Sequence, residues 1–225
     1  MNGPLIDVII AVYNGQRFIG EAITSVQAQT WKALHIIVAD DGSEDDTTAV
    51  VESLMAGDDR IRLLKCPHRG VSATLNAALA QGSAPFIAFL DADDLWAPQK
   101  LEKQMAALEA GTAAVCFCLI REFETLTRKA ATTQQARPAP LKGYSKTAFL
   151  GGRRLFDTYG GFSEQVAIGD FVEWFSRILR AGLELRMLDE VLAYRRIHDR
   201  NSTLGVARKS FLELIKKHLD EKRKD

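Results

Sequence analysis

Three aspartates, Asp91, Asp93 and Asp94, fall within four positions directly after an unbroken apolar run from Phe86 to Leu90. Carboxylates crowded this closely repel one another unless a cation sits among them, and hard oxygen ligands of this kind suit Mg²⁺ or Mn²⁺. A solvated acidic turn would carry the same residues, so the spacing alone does not decide the matter. The run before it gives the cluster weight. Aromatic and branched side chains after Pro85 predict a strand buried in a parallel sheet, and the carboxyl ends of such strands are where open α/β sheets bind ligands. A further carboxylate, Asp170, opens the clearest amphipathic helix of the chain. From Asp170 to Ala181 the residues Phe171, Trp174, Phe175, Ile178 and Leu179 form one stripe, and Gly182 closes it. The helix dipole favours an acid at that end, so as a plain cap Asp170 needs no chemistry to explain it.

Elements that alternate must position these acids. Ile6 to Val12 is an apolar strand that ends in the turn Tyr13-Asn14-Gly15, and Gln16 to Gln29 carries apolar residues at helical spacing. His35 to Ala39 is a second strand ending in Asp40-Asp41-Gly42-Ser43, with Ser43 expected to cap a helix that runs to Met55. Ile61 to Lys65 and Gly70 to Ala80 repeat the strand and helix, and Pro98 is expected as the first residue of a fourth helix stopping at Gly111. Four such alternations predict a parallel sheet with helices on its faces. The ends of strands one, two and four then bring Tyr13, Asp41 and the Asp91 to Asp94 cluster to one crevice.

The second half changes character. Ala113 to Phe123 reads as a strand, Thr125 to Gly143 as an exposed loop, and the glycines at 151, 152, 160, 161 and 169 as a backbone bending tightly. Val191 to Ile197 is expected as a strand running into the polar loop His198 to Ser202, the stretch from His198 to Leu204 could order as a lid, and Val206 to Leu219 is expected as a closing amphipathic helix before a charged tail. The organisation expected is therefore 1–112 as a donor half, 113–205 as an acceptor half of the same domain, and 206–225 as helix and tail.

Composition narrows the classes. The 225 residues suffice for one sizeable core, and Lys plus Arg equals Asp plus Glu at 29 each, so no overall field recruits nucleic acid or anionic membrane. The three cysteines include no Cys-x-x-Cys pair, which argues against zinc and a disulfide framework; Cys116 and Cys118 alternate in an apolar run and read as core. No apolar run approaches the ~20 residues that span a bilayer, so a soluble cytoplasmic protein is expected, with peripheral membrane contact left open. His35, His68 and His218 have no constellation around them and are expected to be structural.

Four stretches carry a resemblance: Val8 to Gly15 (VIIAVYNG), Ile36 to Ser43 (IIVADDGS), Arg69 to Asn76 (RGVSATLN) and Phe89 to Trp96 (FLDADDLW). In order and spacing they resemble the family 2 glycosyltransferases. Tyr159-Gly160-Gly161-Phe162, Gly169-Asp170 and Tyr194-Arg195-Arg196-Ile197-His198 resemble later elements of that family more loosely. The resemblance implies the GT-A type α/β fold: a Rossmann-like, mostly parallel sheet with helices on both faces and a C-terminal acceptor-side subregion. It implies transfer of a sugar, with inversion, from a nucleoside diphosphate, UDP being the first expectation, to an acceptor hydroxyl on a glycan, lipid carrier, peptide or small molecule. The implied nucleotide residues are Ala11, Tyr13, Asn14, Asp41, Arg69, Asn76 and Asp91, with Tyr13 stacking on the base, Asp41 accepting from it and Asp91 near the ribose. Asp93, Asp94 and His198 would hold Mn²⁺ or Mg²⁺, and Asp170 would be the general base.

Departures from the family pattern set the alternatives. Leu75 stands where many members carry an arginine, which shifts charge neutralisation to the metal, Arg69, Arg195 or Arg196. Gly169 replaces a glutamate, which makes Glu173, one turn after Asp170, a rival base. These departures also motivate a second reading, a nucleotide-sugar-binding or scaffold protein that kept the fold and lost turnover.

Overall fold

The parallel core forms where β-branched residues run unbroken. In the computed structural model, which describes residues 3–124, 139–166 and 169–198, β1 (Ile6–Val12) is buried at every position but Ala11. It pairs in parallel with β2 (Leu34–Asp40) on one side and β4 (Phe86–Phe89) on the other, and β3 (Ile61–Lys65) lies parallel beyond β2. Because β2, β1 and β4 are adjacent, their carboxyl ends lie side by side, as the crevice requires. The remaining strands are β5 (Leu95–Trp96), β6 (Val115–Glu124), β7 (Leu150–Gly152) and β8 (Leu185–Ile197). The sheet order is β3-β2-β1-β4-β7-β6-β8-β5, with β7 antiparallel to both β4 and β6, β8 parallel to β6, and β5 antiparallel to β8. One mixed, mostly parallel sheet thus runs through both halves of the chain.

Six helices accompany it among the described residues: α1 (Ile19–Gln27), α2 (Thr47–Met55), α3 (Val71–Gln81), α4 (Lys100–Glu109), α5 (Arg154–Tyr159) and α6 (Asp170–Arg180), with a 3-10 turn at Lys146–Ala148. Several details differ from the sequence reading. Ser43 does not cap α2; its hydroxyl accepts the Asn14 N–H at 2.8 Å, and the helix starts at Thr47 after Asp46. Pro98 precedes α4 by two residues, because its carbonyl accepts the Thr30 N–H at 2.8 Å in a loop contact. Gly151 and Gly152 are strand residues rather than a bend, and β8 begins six residues before Val191. The expected helix at 206–219 and most of the lid after His198 lie outside the described residues.

A buried polar knot fixes the amino end of the sheet. Asp7, fully buried on β1, accepts from the Ala84 N–H at 2.9 Å and from Arg153 Nη2 at 2.5 Å, and meets His35 Nδ1 at 3.2 Å. Arg153 also donates to the carbonyls of Ala84 and Leu79, tying β7 and α5 to the end of α3. Gly82 is required here, since a Cβ would overlap the Asp7 carboxylate. His35 therefore has a partner that the sequence did not reveal.

Candidate active site

At the opposite end, the loop after β1 is stitched to the loop after β2. Asn14 takes a left-handed φ of 50°. Its N–H donates to Ser43 Oγ, its Oδ1 accepts the Glu44 N–H at 2.8 Å, and the Gly15 N–H donates to Thr47 Oγ1 at 2.8 Å. This leaves Tyr13 projecting, 46% exposed, with its ring stacked on His68 at 4.2 Å and 22°. His68, expected to have no constellation around it, thus stacks on Tyr13 and also faces Asp41.

Asp41 lies beneath that platform and is buried. Oδ1 accepts from the Arg69 N–H (2.9 Å) and Thr74 Oγ1 (2.8 Å), while Oδ2 accepts from the Gly70 N–H (3.0 Å) and faces His68 Nδ1 at 2.9 Å. A carboxylate has about four lone-pair sites, so this one is filled by the loop before α3. A direct bond to a base would require one of these donors to give way. Asn76 is more fully committed: its Nδ2 donates to the Phe162 carbonyl and its Oδ1 accepts the Phe162 N–H, both at 2.8 Å. Through these two bonds the Asn76 amide fastens the Gly160–Phe162 loop to α3. Gly161 must be glycine because a Cβ would overlap Asn76 Oδ1. Arg69 stays exposed, paired with Glu164 at 3.0 Å, and Ala11 is partly buried against the core.

The acidic loop after β4 is held by the end of β8. Arg196 is buried; its N–H donates to Asp94 Oδ1 (2.9 Å), its Nε to the Asp93 carbonyl (2.8 Å) and its Nη2 to Glu21 (2.7 Å). Its guanidinium lies 4.7 Å from the ring centres of both Phe18 and Phe123. Arg195 is 3.6 Å from Glu122. Arg196, expected as a candidate for neutralising a diphosphate, instead acts as the clamp of the aspartate loop. His198 Nε2 lies 2.9 Å from Asp93 Oδ2, with its ring against Phe18. Of the expected metal trio, Asp93 and His198 face each other, while Asp94 turns inward to the β8 backbone.

Whether a cation fits follows from charge. Burial, reinforced by the carboxylates of Asp93 and Asp91, holds the Asp94 carboxyl well above its usual range, so its ionised form is disfavoured until a cation lies beside the loop. No group of three or more His, Cys, Asp or Glu among the described residues forms a ready cage. That pattern suits Mg²⁺ or Mn²⁺ held by one or two carboxylates and completed by phosphate oxygens and water.

Asp170 reaches this loop through a residue the sequence reading missed. Lys146 Nζ lies 3.1 Å from Asp91 Oδ1 and 3.5 Å from Asp170 Oδ2, an oxygen that is buried and accepts no hydrogen bond. Burial alone would lower the lysine pKa, but the carboxylates of Asp91 and Asp170 outweigh it and hold the ammonium above its ordinary value. Glu173 is placed differently, paired with Arg177 at 3.0 Å. Arg177 in turn clamps the carbonyls of Tyr159 and Gly161, both at 2.5 Å. The two departures are structural as well: Leu75 is a core residue, and Gly169 takes φ 92° to start α6.

A model of the glycosyl transferase family 2 matches residues 7–170. The chain belongs to that family. An uncharacterized glycosyltransferase from Nostoc sp. is 29% identical over 222 residues, covering 90% of this chain and 67% of its own length. The Escherichia coli protein described as UDP-Glc:alpha-D-GlcNAc-diphosphoundecaprenol beta-1,3-glucosyltransferase WfgD is 38% identical over 109 residues, 48% of this chain and 42% of its own. The mannosyltransferase PcManGT of Pyrobaculum calidifontis, solved with GDP-Man and Mn²⁺, has the same fold at TM-score 0.76 and 20% identity, covering 99% of this chain and 65% of its own. This family 2 chain spans less than half the length of most of the curated relatives it matches. No described helix is long and apolar enough to cross a membrane.

Proposed function

We propose that the protein transfers a sugar from a nucleoside diphosphate, UDP first, to an acceptor hydroxyl with inversion at the anomeric carbon. The observation that carries the reading is the meeting of Asp91 and Asp170 on one ammonium, Lys146, which brings the end of β4 and the start of α6 to one crevice. The Tyr13–His68 platform takes the base, and Asp91 lies near the ribose. Asp93 and His198, with Asp94 behind them, would hold Mn²⁺ or Mg²⁺. Bound there, the cation would neutralise charge on the departing diphosphate.

Asp170 accepts the acceptor's proton as its oxygen bonds to the anomeric carbon and the bond to the diphosphate oxygen breaks. A positioned base of this kind contributes about 10² to 10⁴ in rate. Attack from the face opposite the leaving group gives inversion. Asp170 is preferred to Glu173 because Glu173 is engaged in the Arg177 clamp, and nothing in the site favours the scaffold reading. The name of the E. coli relative, which specifies a lipid-diphosphate acceptor, supports trying a polyprenyl-diphosphate-linked sugar among the first acceptors.

Thermal shift against UDP, GDP and their sugars, with and without Mn²⁺, tests the donor site. A ligand at 100 times its Kd adds about 2.7 kcal/mol, so a metal-dependent rise with one nucleotide supports the reading. A flat panel would sink it.

A further inference from the structure

Lys146 is built with more care than a charge balance needs. It opens the 3-10 turn, and the carbonyls that follow it are each held by a buried side chain. Trp96 Nε1 donates to the Thr147 carbonyl and Gln104 Nε2 to that of Ala148, both at 2.8 Å, while Lys100 Nζ lies 3.3 Å from that of Phe149. Gln104 also donates to the Cys116 carbonyl on β6, and Lys100 sits over the Trp96 ring at 3.9 Å. The turn therefore cannot slide, and the Lys146 ammonium is fixed relative to the acidic loop.

Position gives that rigidity a use. On the donor-site reading above, the nucleotide and metal lie on the Asp91 side and the acceptor hydroxyl on the Asp170 side. The transferred sugar must then occupy the space between them, and Lys146 is the group that touches both walls. An ammonium carries three N–H donors, and two carboxylates face this one. We propose that Lys146 reads the transferred sugar, donating its remaining hydrogen bond to a hydroxyl oxygen of the pyranose while it holds Asp170 toward the anomeric carbon. It is a sugar-specificity residue, distinct from those that bind the nucleotide.

Calorimetry on the full chain with Mn²⁺ tests this, comparing UDP with UDP-glucose and GDP with GDP-mannose and following the pair that the wild type binds. Lys146→Met is expected to leave the free nucleoside diphosphate within about two-fold and to weaken the sugar nucleotide by about ten-fold or more, the usual worth of a charged hydrogen bond. Lys146→Arg keeps a positive charge against both carboxylates, and with it the fold, but its planar fork does not replace a point donor. It is expected to bind the diphosphate normally and the sugar nucleotide weakly. Equal losses for both ligands, no loss for either, or full recovery of sugar binding by arginine would each overturn the inference. Failure of the wild type to bind any of the four ligands would instead overturn the donor site itself.

Discussion

Asn76 separates the family resemblance from the geometry. The resemblance places it at the nucleotide, whereas the structure gives both ends of its amide to the Phe162 backbone at 2.8 Å. Asn76→Ala removes two hydrogen bonds and leaves a half-buried N–H and C=O without partners, a loss of about 2–3 kcal/mol. For a chain of this size each kcal/mol moves the melting temperature by about 2–4 °C, so a fall of about 5–10 °C is expected. Affinity for the nucleoside diphosphate should stay within about two-fold, because an amide whose two ends both meet the Phe162 backbone contributes nothing to base or phosphate binding. Asn76→Asp sharpens the comparison. It still accepts the Phe162 N–H but sets a carboxylate against the Phe162 carbonyl, so it should be at least as unstable as the alanine variant. Gly161→Ala should reproduce the instability from the other side of the contact, since its Cβ would overlap Asn76 Oδ1. Differential scanning calorimetry and titration calorimetry on the same preparations decide it. An Asn76→Ala protein that melts with the wild type yet binds nucleotide ten-fold more weakly would refute the reasoning.

Three other perturbations probe separate parts of the site. Tyr13→Ala should weaken nucleoside diphosphate binding by about 1–3 kcal/mol, the range for losing an aromatic stacking partner, and His68→Ala by less, as it only backs the ring; titration calorimetry reads both. Asp170→Asn should lower donor turnover by about 10² to 10⁴ with nucleotide affinity unchanged, while Glu173→Gln should keep turnover within about three-fold and lose stability instead, measured by nucleotide release and by melting. Lys100 concerns the support rather than the site. Burial depresses its pKa from 10.5 to about 8, so the unfolded chain binds more protons above pH 8 and stability from this group rises with pH until about 10.5. Between pH 8 and 9.5 that gain is about 2 kcal/mol. Lys100→Met should lack it, and urea unfolding at the two pH values would show no difference from wild type if the reading is wrong.

The limits of reading this chain from sequence follow from which interactions are periodic. Parallel strands buried on both faces leave apolar runs, so β1, β3 and α6 were legible almost to the residue, and the adjacency of β2, β1 and β4 followed from their alternation with helices. A strand of two or three residues has no period to detect, which is why β5 and β7 were not foreseen. The polar residues were harder, because an amide or a lysine does not announce whether it meets ligand or backbone. Asn76 matched a motif but serves a loop 86 positions away. Lys146 matched nothing, since a lysine after Gly143-Tyr144-Ser145 reads as solvated, and what holds its turn is a set of contacts from Trp96, Gln104 and Lys100 to the carbonyls of Thr147, Ala148 and Phe149. Lys100 and Gln104 lie one turn apart on α4, Trp96 sits on β5 just before it, and none of the three is aliphatic. A lysine and a glutamine one turn apart on the core side of a helix are themselves a signal: such residues are buried only when something polar waits opposite. Here the polar partner is the backbone of the turn that presents Lys146 to Asp91 and Asp170, so the irregular face of α4 was the trace in the sequence of the site's missing cation.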